Sequence, residues 1–102
     1  MTVNLTAVVW GVTGVLFFFG LAMAVLRRQL LAMLLGIELM LAAVNVSLVH
    51  HAGLFNDAEA LAVVALVIAV AAAEAVVGLS LILRMRRSGR GADAALLTEL
   101  QG

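Results

Sequence analysis

The chain has 102 residues, of which 66% are hydrophobic and 12% charged, with a mean hydropathy of +1.23. A water-soluble domain is about half apolar and about a quarter charged, so no soluble fold hides this much apolar surface in so short a chain. Formal net charge is zero, and the six cations are all arginines: Arg27, Arg28, Arg84, Arg86, Arg87 and Arg90. They are too few and too clustered for a nucleic-acid surface, and the absence of cysteine excludes disulfides, thiolate metal sites and iron–sulfur ligation.

The first apolar run extends from about Leu5 to Leu26, the second from about Leu30 to Val49 and the third from about Ala60 to Leu83. Each satisfies the roughly 20 residues that a spanning helix needs. The expected architecture is an all-α membrane protein, a single membrane domain over 1–102 with three transmembrane helices and a tail over 84–102. Ala22-Met23-Ala24 resembles a cleavage site, but the N-terminal MTVNLT carries no basic side chain and the run is too long for a signal peptide.

Arg27-Arg28-Gln29 predicts a tight turn between the first two spans. The second connection is expected to be longer, from His50 to Glu59, with Gly53, Asn56 and Asp57 as turn formers. Three spans put Arg27 and Arg28 on the same side as Arg84, Arg86 and Arg87. Because arginine favours the cytoplasmic side, the N-terminus is expected outside and the C-terminus in the cytoplasm. His50 and His51 read as polar caps at the outer interface, and Glu59 as a solvated acid at the mouth of the third span. In the tail, Leu96, Leu97 and Leu100 are spaced for one side of a short helix over Ala92–Leu100, either a docking segment or a frayed end.

Two acids stand inside the apolar runs. Glu38 is ten residues after Arg28 and Glu74 ten residues before Arg84. At about 1.5 Å per residue each lies about 15 Å from its arginine end, near the bilayer midplane. A carboxyl in hydrocarbon costs several kcal/mol unless paired, solvated or protonated, which is why such residues mark ion or proton pathways. Asn45, seven residues after Glu38, shares its stripe of the helix, while Ser47 points to the opposite side. Ala71, Ala73, Ala75 and Gly78 surround Glu74 with small side chains that let another helix approach. Glu38 and Glu74 either face each other across spans two and three or face neighbouring subunits. No nucleophile–base pair, phosphate-binding glycine loop, flavin site or haem site is present, so proton movement is the chemistry these residues offer. The bland alternatives are a structural acid bonded to a neighbouring helix for the glutamates, interhelical glue for Asn45 and topological anchoring for Arg27 and Arg28.

Arg27-Arg28-Gln29-Leu30-Leu31, Leu35-Gly36-Ile37-Glu38-Leu39-Met40 with Asn45, and Ala71-Ala72-Ala73-Glu74-Ala75 with Gly78-Leu79 are specific in combination. Together with the closing Leu97-Thr98-Glu99-Leu100-Gln101-Gly102, they resemble the K subunit of proton-translocating NADH–quinone oxidoreductase, respiratory complex I, whose mitochondrial counterpart is the four-L subunit. The likeness covers nearly the whole chain. It implies a multi-pass subunit of the inner (plasma) membrane, in the membrane arm between the quinone-proximal part and the antiporter-like subunits. It further implies that Glu38 and Glu74 link quinone reduction to proton pumping and that Arg27 and Arg28 are needed. This chain itself is expected to bind no cofactor, with NADH, FMN, iron–sulfur clusters and quinone held elsewhere in the complex. One departure is Asp57-Ala58-Glu59, where the family often has aspartate-glycine-glutamine; this alters the outer turn but leaves both membrane glutamates in place.

The C subunit of multi-subunit sodium/proton antiporters shares the three-span plan but usually lacks the second-span glutamate and carries a proline before its third span. Here Glu38 is present and proline is absent. Small multidrug transporters have four spans and an acid in the first, and ATP-synthase rotor subunits have two spans with one acid. A purely structural membrane subunit, with both glutamates pinning helices, is the remaining alternative.

Overall fold

The computed structural model describes residues 4–89. Arg90 and the short helix expected over Ala92–Leu100 lie outside the described residues. Three helices follow in order: α1 over Leu5–Leu26, α2 over Leu30–Phe55 and α3 over Ala58–Arg87. Their 22, 26 and 30 residues correspond to about 33, 39 and 45 Å, against a hydrocarbon core of about 30 Å. All three are long and apolar enough to cross a membrane. The protein is an all-α, multi-pass membrane protein.

Local chemistry sets the helix ends. The side chain of Asn4 caps α1 by accepting from Thr6 N at 3.0 Å. At the far end Arg27 turns the backbone extended (φ −93°, ψ 146°) and Gln29 stays so (φ −73°, ψ 132°) before α2 begins.

The other connection differs from the sequence expectation. Instead of a loop over His50–Glu59, α2 continues through both histidines and Gly53 to Phe55, and the turn is only Asn56–Asp57. Nothing from His50 to Phe55 breaks a helix strongly; the stop comes from Asn56, which adopts the left-handed conformation (φ 50°, ψ 47°). That geometry lets Asp57 N donate to Ala52 O at 3.0 Å, the closing bond of a Schellman motif. The Asp57 carboxylate then accepts from Glu59 N and Ala60 N at 3.0 and 3.2 Å, capping α3. Glu59 in the first turn of α3 and Arg84, Arg86 and Arg87 in its last turn both suit the helix dipole.

The helices form a row. α2 lies in the middle, packed on α1 and α3 from opposite sides, and the described chain measures 56 × 28 × 19 Å. The α1–α2 contact is tightest at Gly20 and Gly36, where a Cβ on either residue would come within 2.5 Å of the other's carbonyl oxygen. Small residues bring the backbones together here, the usual device where lipid removes the hydrophobic drive between helices. Along α3 the stripe Ala60, Val64, Ile82 and Met85 is buried, with Ala71, Ala75 and Gly78 half-buried on the same face. Being a row, the chain leaves Val15, Phe18 and Phe19 of α1 and Val76 and Val77 of α3 mostly exposed. In water this would be costly, whereas in a bilayer lipid or neighbouring subunits cover such faces.

Candidate functional site

The contact between Leu34 and Gly78 sets the register of α2 against α3: a Cβ built on Gly78 would lie 3.1 Å from both Leu34 methyl carbons. The two helices run antiparallel, so one turn forward from Leu34 and one turn back from Gly78 arrive at the same level. Those positions are Glu38 and Glu74. Packing thus sets both carboxyls at one depth, as the helical rise implies.

Their directions differ. At 100° per residue, Glu38 is rotated about 40° from Leu34 and Glu74 about 40° the other way from Gly78. In an antiparallel pair, opposite rotations fall on opposite sides of the seam, so the acids straddle it rather than face each other. Glu74 shares its side with a groove lined by Ile37 and Leu81. There it is exposed, in a shallow hollow with Val70, Ala73, Val77 and Gly78. Of the small residues read from the sequence as surrounding Glu74, Ala73 and Gly78 line its hollow, and Gly78 also admits Leu34 of α2, with Ala71 and Ala75 half-buried on the same face. Glu74 stands at the edge of that contact and is left for something outside this chain to cover.

Glu38 is half-buried, and its Oε1 atom is shut off from solvent without a hydrogen-bond partner among the described residues. The Oδ1 of Asn45, on the same stripe, is in the same condition. Buried polar atoms nearly always find a partner, so two orphans on one helix face need an explanation. Ser47 lines the other side of α2, in a groove against α1 with Thr13 and Ala43. Arg27 and Arg28 are exposed at the first turn and, at about 1.5 Å of rise per residue, about 15 Å in height from Glu38.

At the opposite end His50 does more than cap an interface. Its Nε2 lies 3.0 Å from Thr6 Oγ1, tying α2 to the start of α1. His51 stacks on Phe55 and lies 3.6 Å from the Asp57 carboxylate that caps α3. The pairs Thr6–His50 and Gly20–Gly36 were missed by sequence reasoning. Each is equidistant along the chain from Arg28, the symmetry a tight antiparallel turn at that residue imposes.

Comparison with known proteins fits this layout. The family described as NADH-ubiquinone/plastoquinone oxidoreductase chain 4L matches residues 8–102. The chain belongs to that family. Among its relatives, NADH-quinone oxidoreductase subunit K of Sorangium cellulosum is 46% identical over 90 residues, covering 84% of this chain and 87% of the relative. The subunit of the same name from Persephonella marina is 40% identical over 89 residues, 87% and 89% of the two chains. That from Sulfurihydrogenibium sp. is 38% identical over 90 residues, 88% and 90%. Membership of the chain 4L family agrees with the three spans and places the chain among membrane-arm subunits of complex I.

Proposed function

We infer that this chain serves as subunit K of a proton-translocating NADH–quinone oxidoreductase, with Glu38 and Glu74 as the groups that load and release protons. What supports this reading is that the Leu34–Gly78 contact brings two carboxyls level with each other, on opposite sides of one seam between apolar helices. Neither is neutralised by a basic side chain within the spans, where all cations lie at the ends. A carboxyl held in hydrocarbon without an ion-pair partner is the kind of group that changes protonation when nearby water or charge rearranges. The straddling arrangement suits transfer through the chain in the membrane plane, from a neighbour on one side to a neighbour on the other.

In this reading Glu74 meets another membrane-arm subunit across its shallow hollow, and antiporter-like subunits are the expected neighbours. Arg27 and Arg28 anchor the first turn on the cytoplasmic side, with the N-terminus outside. Asn45 supports Glu38. The chain has no activity of its own and binds no cofactor; NADH, FMN, iron–sulfur clusters and quinone belong to other subunits.

The test is NADH-driven proton uptake in membrane vesicles carrying Glu38→Ala, beside a native gel for assembly. An assembled complex that no longer pumps is the expected result. Normal pumping by the assembled variant would reduce Glu38 to structural glue.

A further inference from the structure

The orphaned oxygens of Glu38 and Asn45 lie about 10.5 Å apart in height on the α3 side of α2, seven residues at about 1.5 Å each. That gap is too long for a direct hydrogen bond and suits a short file of water molecules. Across it α3 presents Ala71 and Ala75, both half-buried, while on α2 the half-buried Leu41 and the exposed Ala42 lie between the two polar residues. The alanines of α3 take up less of the seam than longer side chains would. A water needs two to four polar partners, and the two orphaned atoms supply acceptors at either end.

We propose that Asn45 is a positioning residue for proton exchange at Glu38: it holds the water through which that carboxyl communicates with the half of the membrane toward His50. The amide suits the task. Its oxygen accepts from a water and its NH₂ donates to one, and it neither gains nor loses a proton during transfer. When Glu38 releases its proton, the O–H bond at the carboxyl breaks and the proton joins the adjoining water. Reloading reverses the step, and Asn45 keeps that water oriented throughout. This rests on the proton-handling reading of Glu38 and extends it by giving the path a direction along α2, away from the arginine end.

The rival role for Asn45 is a hydrogen bond that glues α2 to a neighbouring helix. Asn45→Ser and Asn45→Ala separate the two roles, since serine and alanine differ little in volume and only serine can bind water. Both variants are made in the whole complex. Assembly is followed on native gels, with NADH-driven proton uptake and the solvent deuterium isotope effect on quinone reduction measured in vesicles. The expected result is that both assemble and Asn45→Ser pumps within about twofold of the unaltered complex. Asn45→Ala should fall about tenfold, the rate equivalent of one buried hydrogen bond, with a larger isotope effect. Equal pumping by the two variants would overturn the proposal, and so would loss of assembly in both, which makes Asn45 glue. Either result can coincide with an inactive Glu38→Ala complex, so failure here is distinguishable from failure of the glutamate reading.

Discussion

Gly78 packs against Leu34 so closely that a Cβ on the glycine would lie 3.1 Å from both leucine methyl carbons. This contact decides which residue of α3 stands level with Glu38. Gly78→Ala asks flexible methyls to yield by a few tenths of an ångström, and the amount of assembled complex should fall less than about twofold. Gly78→Ile should push the seam apart at a cost of about 1–3 kcal/mol. We expect it to lower proton uptake per assembled complex, because Glu74 shifts against Glu38. Native-gel quantitation with vesicle pumping checks both.

The α1–α2 crossing should be less forgiving. A Cβ on Gly20 or Gly36 meets backbone oxygen at 2.5 Å, which no side-chain adjustment relieves. Gly36→Ala should therefore reduce assembled complex severalfold, more than Gly78→Ala, as the helices separate to remove the overlap. Equal amounts of the two variants would contradict this ranking.

Glu74→Ala should leave an assembled complex with reduced pumping, but less reduced than in Glu38→Ala. Glu74 is exposed at the seam's edge, where a neighbour's polar groups or water can substitute in part. Proton uptake normalised to assembled complex decides the order.

Thr6 and His50 join the first turn of α1 to the C-terminal part of α2 through a bond of 3.0 Å. Thr6→Val and His50→Leu should each destabilise the subunit by about 1 kcal/mol. The double variant should cost less than the two combined, since both remove the same bond. Thermal inactivation of the solubilised complex is the measurement, and full additivity would show that the contact contributes nothing.

Asn56 holds a left-handed backbone (φ 50°) to end α2. Asn56→Gly should be neutral within about 0.5 kcal/mol, while Asn56→Val should cost about 1–2 kcal/mol because a branched Cβ crowds the carbonyl there. Thermal inactivation separates the two variants.

Much of this molecule is legible without coordinates. The three spans follow from residue-by-residue hydropathy, because each long apolar segment leaves water and must then form a helix to satisfy its backbone in lipid. The shared depth of Glu38 and Glu74 follows too, since helical rise is constant and both are ten residues from an arginine. The tertiary structure decided what depends on rotation and partner choice. It ran α2 on to Phe55, where Asn56 and Asp57 close the cap, although polar His50 and His51 look like the start of a loop. It placed α2 between α1 and α3, and seated Gly20 on Gly36. It also turned Ala71, Ala75 and Gly78 toward α2, leaving Glu74 at the edge of the seam. Distance along a helix is fixed by covalent geometry and hydrogen bonding, whereas the face a residue shows its neighbour depends on which side chains interlock, a property of pairs of helices.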